Sequence, residues 1–353
     1  MKNLTIRKID DMHVHLRQGD MLRNVLPPTV MQCGKALVMP NTNPPIATPE
    51  DVIAYRQTIL AALAPQTMFT PLMTFKILPS TTIEQVRAMQ NSGAVAGKLY
   101  PEGVTTNSED GVRDLTTLYE IYRAMEECGL VLCIHGEVPG VFSLDREKAF
   151  LGTLEKLAGD FPRLRIVLEH ATTADAIKTV SSLPANVAAT LTVHHLYITL
   201  DDVIGDRLQP HLFCKPIAKR ESDRQALRDA VISGNKKFFL GTDSAPHAVE
   251  AKECACGAAG VYSAPVIVPA LIQLFEDLGC LDRFEPFVSE FGSRFYGLSL
   301  NEERLTVANQ SWLVPKIYNG VVPFMADQEL RWKVVENDDA GKADASAKAL
   351  SAS

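Results

Sequence analysis

Four of the eight histidines in this 353-residue chain close apolar runs: His13 and His15 in DMHVHLR, His135 in VLCIHGE and His170 in IVLEHAT. The run FFLGTD ends abruptly in a carboxylate, Asp243, and His247 follows four residues later. Imidazole and carboxylate are ordinary zinc ligands, and a carboxylate at a metal site can also act as general base or acid. His13 and His15 are two apart, so on a strand they face one side and could share an ion. Each feature has a plain alternative: an alternating strand with packed or surface histidines, a satisfied core histidine, a carboxylate capping the next helix. The joint placement favours a metal centre, because chance rarely sets four histidines at strand ends with an aspartate at another. Lys98, in VAGKLYP, is the odd member. A free ammonium aimed into a cationic site would be repelled and poorly solvated. Either it turns away to solvent, or its charge is removed chemically. Carbamylation by carbon dioxide would convert it to a carboxylate able to bridge two metals.

Such residues need a frame that brings distant positions to one mouth. Short β-rich apolar runs occur at residues 9–15, 36–39, 69–75, 95–100, 130–135, 165–170, 188–193 and 238–243. Amphipathic helical patterns fall between them, among them 49–64, 80–91, 115–127, 145–159, 173–182 and 222–233. Strand alternating with helix is the signature of parallel βαβ units, and eight repetitions favour a closed (β/α)8 TIM barrel over an open sheet. In that fold the site is built from the C-terminal strand ends and the loops after them. Thr48, followed by Pro49, Glu50 and Asp51, reads as a capped helix start. The barrel is expected over most of residues 5–300, with a C-terminal extension from about 300, so that 1–336 form one domain. The polar, alanine-rich segment 337–353 is expected to be a disordered tail.

Hydrophobic residues at 46% and charged residues at 22% are ordinary globular composition and exclude general disorder. A net charge of −7 argues against nucleic acid or an anionic membrane as the main partner. The first 17 residues contain no apolar core of signal-peptide length. Residues 257–275 are nearly all small or apolar, but Pro265, Pro269 and Gln273 interrupt them, so no membrane span is expected. The seven cysteines are scattered, and Cys254 and Cys256 lack the two-residue spacing of zinc knuckles; they read as reduced thiols of a cytoplasmic protein.

The motifs DMHVHLR, VMPNTNPP, KLYPEGVTTNS, HGEV, EHATT, PHLFCKPI, FLGTDSAPH and KECACGAAG run in order to about residue 260, and FYGL at 295–298 extends them. On these motifs the chain resembles the amidohydrolase superfamily and, within it, the dihydroorotases of the short bacterial type (class II). The position of the first histidine pair also fits the short type rather than the longer hydantoinase-like relatives. The resemblance implies reversible interconversion of N-carbamoyl-L-aspartate and L-dihydroorotate in de novo pyrimidine (UMP) biosynthesis. It implies two zinc ions: one held by His13, His15 and Asp243, the other by His135 and His170. N6-carboxylated Lys98 and a hydroxide would bridge them, with Asp243 shuttling the proton. Arg17, Asn41 and His247 would grip the substrate carboxylate, and His135 would also face the substrate. Thr105 and Thr106 would sit on a mobile loop that closes over it, with backbone contacts at Lys215 and Ala259. A leucine-like residue is expected at position 215, so the lysine departs from the pattern. The resemblance also implies a homodimer.

Two other readings compete. Another cyclic amidase, a hydantoinase or dihydropyrimidinase, would share the metals but have less need of a carboxylate clamp. A catalytically silent scaffold would have lost ligands, whereas all six positions are intact. His194 and His195, adjacent on an expected strand, should point to opposite faces and are read as structural. His211 has no derivable role. Trp312 and Trp332 are read as anchors of the C-terminal extension, and the acidic stretch 336–339 as a solvated edge.

Overall fold

The computed structural model describes residues 3–335. The tail expected at 337–353 and the acidic edge at 336–339 lie outside the described residues. Strands β1 (Asn3–Arg7), β2 (Ile9–Val14), β3 (Cys33–Val38), β4 (Thr70–Ile77), β5 (Ala94–Leu99) and β6 (Val131–Ile134) are followed by β7 (Ile166–Leu168), β8 (Val187–Leu191), β9 (Phe238–Leu240), β10 (Arg304–Leu313) and β11 (Glu329–Val334). Strands β2 to β9 form one parallel eight-stranded sheet in sequence order. Its two edges meet just beyond the strands. The Asp243 N–H donates to the His13 carbonyl at 2.8 Å and the His15 N–H to the Ser244 carbonyl at 3.0 Å, closing the barrel. All eight strands expected from the sequence are present, and they form the (β/α)8 barrel that their alternation with helices requires.

The barrel interior is packed with apolar side chains that strands around the sheet turn inward, including Met12, Leu37, Val131, Val167 and Phe239. The helix Phe291–Tyr296 plugs the end where the strands begin; Arg165, at the start of β7, donates to the Phe295 carbonyl at 3.0 Å. The opposite end is therefore the one free to hold a site. Outside, the helix Pro49–Ala61 starts as its sequence demands. Thr48 accepts from the Asp51 N–H, and Asp51 accepts from the Thr48 N–H at 2.9 Å. Such a cap contributes about 1 kcal/mol.

Two elements were not visible in the sequence. The helix Gly19–Gln32 contains Pro27 and Pro28, a pair that normally reads as a breaker, yet it buries Leu22, Val25 and Leu26. The N-terminal strand β1 does not belong to the barrel, which begins at Ile9 rather than near residue 5. Instead β1 pairs antiparallel with β10, and β10 with β11, in a separate three-stranded sheet. The two tryptophans anchor that sheet. Trp332 is fully buried and its indole N–H donates to Glu276 at 3.0 Å, while Trp312 donates to the Trp332 carbonyl at 2.6 Å.

Candidate active site

The expected ligands converge on the open mouth. His13 lies in β2 and His15 just past it; Lys98 lies in β5; His135 directly follows β6; His170 and Asp243 lie just beyond β7 and β9. The backbone is bent to aim three of the mouth residues. His170 (φ 45°), Asp243 (φ 46°) and Arg17 (φ 61°) all adopt the left-handed conformation, which is uncommon for residues with a β-carbon. Gly241 allows the last strand to approach: a β-carbon there would lie 2.6 Å from Thr190 Cγ2 and 3.0 Å from His13 Cβ.

The donor atoms of His13, His15 and Asp243 all lie within 4.8 Å of one another. His15 Nε2 is 3.0 Å and His13 Nε2 3.4 Å from the same oxygen of Asp243. Ring centroids of His13 and His170 are 5.1 Å apart, and those of His135 and His170 4.6 Å. Lys98 is fully buried, which removes the solvent-facing alternative. Its Nζ has no hydrogen-bond partner among the described residues and lies 5.1 Å from the Tyr100 ring centroid; His170 Nδ1 is likewise unpartnered. Burial lowers the Lys98 pKa, with Glu169 opposing. Burial also lowers the imidazoles: His15 to about 4, His135 below its usual value, and His170 well below it. They are neutral near pH 7, the form that binds metals. Burial alone would raise Asp243, but the hydrogen bond from His15, with His13 close by, holds it far below the usual carboxylate range. Unpartnered buried nitrogens beside an ionised carboxylate are a donor set that fits divalent metal.

A ring of acids orients these ligands, and the sequence reading missed it. His13 Nδ1 is 2.8 Å from Glu169, which also accepts from Thr190 at 2.6 Å. His135 Nε2 is 2.8 Å from Glu137, and Asp11 accepts from the Thr242 backbone (2.8 Å) and hydroxyl (2.6 Å). Such partners fix ring orientation and tautomer. A signal existed, since Glu169, Glu137 and Asp11 each stand within two residues of a candidate ligand inside a quoted motif.

Of the remaining expected residues, Arg17, Asn41, Thr105, Thr106, Lys215 and Ala259 line the same pocket, joined by Tyr100, Ala245 and Gly260, while His247 stands behind Arg17 outside that lining. Arg17 is held by the Pro246 carbonyl at 3.0 Å and lies 3.0 Å from His247 Nε2, which is also 3.0 Å from the Ala259 carbonyl. Burial, then Arg17, lower His247 to about 3, so its ring is uncharged. The segment 101–112 crosses the mouth. Asn41 donates to the Thr106 carbonyl at 3.2 Å, Asn107 donates to the Asn41 carbonyl at 3.0 Å, and Lys76 donates to the Asn107 carbonyl at 2.7 Å and pairs with Asp110.

His194 and His195 require a correction. β8 ends at Leu191, so they lie in a turn, and the opposite-face argument for a strand does not apply. Both are buried, with ring centroids 4.4 Å apart. His195 is satisfied by Thr192 and the Pro216 carbonyl. His211 pairs with Glu253 at 2.9 Å at the surface. All seven cysteines are free, and Cys254 and Cys256 are exposed.

An eight-stranded parallel barrel carrying a histidine–aspartate cluster at its C-terminal mouth defines a barrel hydrolase. The Amidohydrolase family model matches residues 8–278. A dihydroorotase of Vibrio vulnificus is 46% identical over 342 residues, covering 95% of this chain and all of that protein. The crystal structure of Campylobacter jejuni dihydroorotase superposes with a TM-score of 0.88 at 40% identity, covering 95% of this chain and 98% of that one. Saccharomyces cerevisiae dihydroorotase, solved with 5-fluoroorotic acid, superposes at 0.89 with 37% identity, covering 95% and 99%. The chain belongs to the amidohydrolase family and, within it, to the dihydroorotases. Membership implies a metal cofactor, consistent with the donor set at the mouth.

Proposed function

We propose that the chain interconverts N-carbamoyl-L-aspartate and L-dihydroorotate in de novo pyrimidine (UMP) synthesis, with two zinc ions per chain. His13, His15 and Asp243 would hold one ion, His135 and His170 the other, and N6-carboxylated Lys98 would lie between them. Zinc bound there would supply an acidified water as nucleophile and a Lewis acid for the ring carbonyl. Asp243 accepts the proton of the attacking water and passes it to the amide nitrogen as the ring C–N bond breaks. Arg17, with Asn41 and His247, binds the substrate carboxylate through the planar guanidinium fork. Thr105 and Thr106 exclude water and hydrogen-bond the substrate; His135 and the backbone at Lys215 and Ala259 complete the wall. A cytoplasmic homodimer belongs to the same reading; none of the described helices is long and apolar enough to cross a membrane.

One observation carries this reading: Arg17, braced by His247, lines the same pocket as the histidine–aspartate cluster, which puts a guanidinium able to grip a carboxylate beside a hydrolytic centre. The test follows dihydroorotate absorbance with purified protein before chelation, after it, and after zinc is restored. Activity should vanish and return, with metal analysis reaching two zinc per chain. Inactivity despite bound zinc overturns the substrate, and activity untouched by complete metal removal overturns the metal.

A further inference from the structure

Lys252 ends the short helix Val249–Lys252 and is only 3% exposed. Its ammonium has no carboxylate partner among the described residues. Nζ donates instead to two backbone carbonyls, Phe213 at 2.9 Å and Gly260 at 2.6 Å. These carbonyls belong to the two segments that contribute Lys215, Ala259 and Gly260 to the pocket wall. The segments also touch directly, the Gly260 N–H donating to the Phe213 carbonyl at 2.9 Å. Gly260, at φ 154°, has no space for a side chain: a β-carbon would lie 2.4 Å from the Ala245 carbonyl oxygen and 2.9 Å from His247 Cδ2. With no side chain at Gly260 to pack, the wall is braced by that backbone bond and by the Lys252 ammonium.

A buried cation satisfied only by neutral carbonyls leaves positive charge uncompensated in a poorly solvated place. An arriving anion relieves that cost; a neutral ligand does not. We propose that Lys252 is a positioning and specificity-determining residue, stapling the Phe213 and Gly260 segments into the pocket wall and biasing the mouth toward carboxylate-bearing cyclic amides. The proposal rests on the reading of Arg17, Asn41 and His247 as the carboxylate grip. The titratable and charged groups coupled electrostatically to Lys252 are Cys214, Arg17, His194 and His247. Burial, with Arg17 adding and Cys214 opposing, brings the Lys252 pKa down to about 8. The ammonium is therefore present below that pH and lost above it.

The experiment is steady-state kinetics of the zinc-loaded full chain with L-dihydroorotate across pH 6–10, with orotate as competitive inhibitor. Wild-type turnover comes first, since its absence refutes the underlying substrate reading whatever Lys252 does. Lys252→Met should raise KM and the orotate inhibition constant about tenfold or more, with kcat within about threefold. The fall in wild-type kcat/KM above pH 8 should disappear in that variant. Lys252→Gln keeps two N–H donors without the charge, so it should show an intermediate KM and no such fall. If the Met variant does not fold, the Gln variant and the wild-type profile decide. Wild-type KM and inhibition constants in the variants, or an alkaline limb that persists in them, would overturn the proposal.

Discussion

His170 and Asp243 both occupy the left-handed backbone region, and neither is glycine. Conformations of that kind cost about 1–3 kcal/mol each and persist only where the surroundings enforce them. For His170 the enforcement is local. Its N–H donates to Thr190 at 2.6 Å, and the buried Glu147 carboxylate gathers the backbone N–H groups of Thr172 (2.9 Å) and Thr173 (2.8 Å) and both hydroxyls. For Asp243 it is the backbone bond to His13. Asp243→Asn keeps that backbone bond but lacks the basicity to take a proton. It should fold and lose turnover by about 10³-fold or more, read by kcat alongside metal content; a near-normal rate would remove Asp243 from proton transfer. The ligands were legible because histidine at the end of an apolar run is chemically conspicuous. Glu147 was not, since its partners lie 25 residues away in sequence and only the fold brings them together.

The segment 101–112 behaves as an element without being a helix or strand. It is fastened at Asn41 and at Lys76, whose buried ammonium reaches the Asn107 carbonyl and Asp110. Lys76→Met removes a charge-assisted bond and an ion pair from one end of this strap while leaving the pocket floor intact. The expected result is a KM raised by about three- to tenfold and faster proteolytic cleavage within 101–112, measured with and without orotate. Unchanged cleavage would mean that Lys76 does not hold the strap. At this scale the sequence was readable where periodicity and local geometry agree, as in the eight strands and the capped helix after Thr48. It was unreadable where tertiary packing overrides a local signal, as in the helix that keeps Pro27 and Pro28. It also misled where an apolar run continues past its strand, as at residues 192–193 before the histidine pair.

At the scale of the molecule, the barrel is joined to a second sheet whose strands come from both ends of the described chain. Trp332 is its keystone, and replacing it with alanine should cost about 3–5 kcal/mol from the lost burial and cavity. The measurement is a lowered Tm with dihydroorotate KM nearly unchanged, because the indole bonds Glu276 and does not line the pocket; an equal loss of substrate affinity would show the sheet and the pocket to be coupled. The pairing of β1 with β10 could not be read from single stretches of sequence, because β1 is only five residues long and its partner lies some three hundred positions away.

The seam that closes the barrel also sets an order of events in synthesis. His15 and Asp243 are separated by 228 residues, and the bonds that join their strands cannot form before β9 has been made. A nascent chain leaving the ribosome therefore carries its first histidine pair through most of translation with no carboxylate to complete the trio. Any sheet built from β2 onward before that point would keep open edges on both sides. The same seam therefore completes the His13–His15–Asp243 trio and removes the sheet's exposed edges.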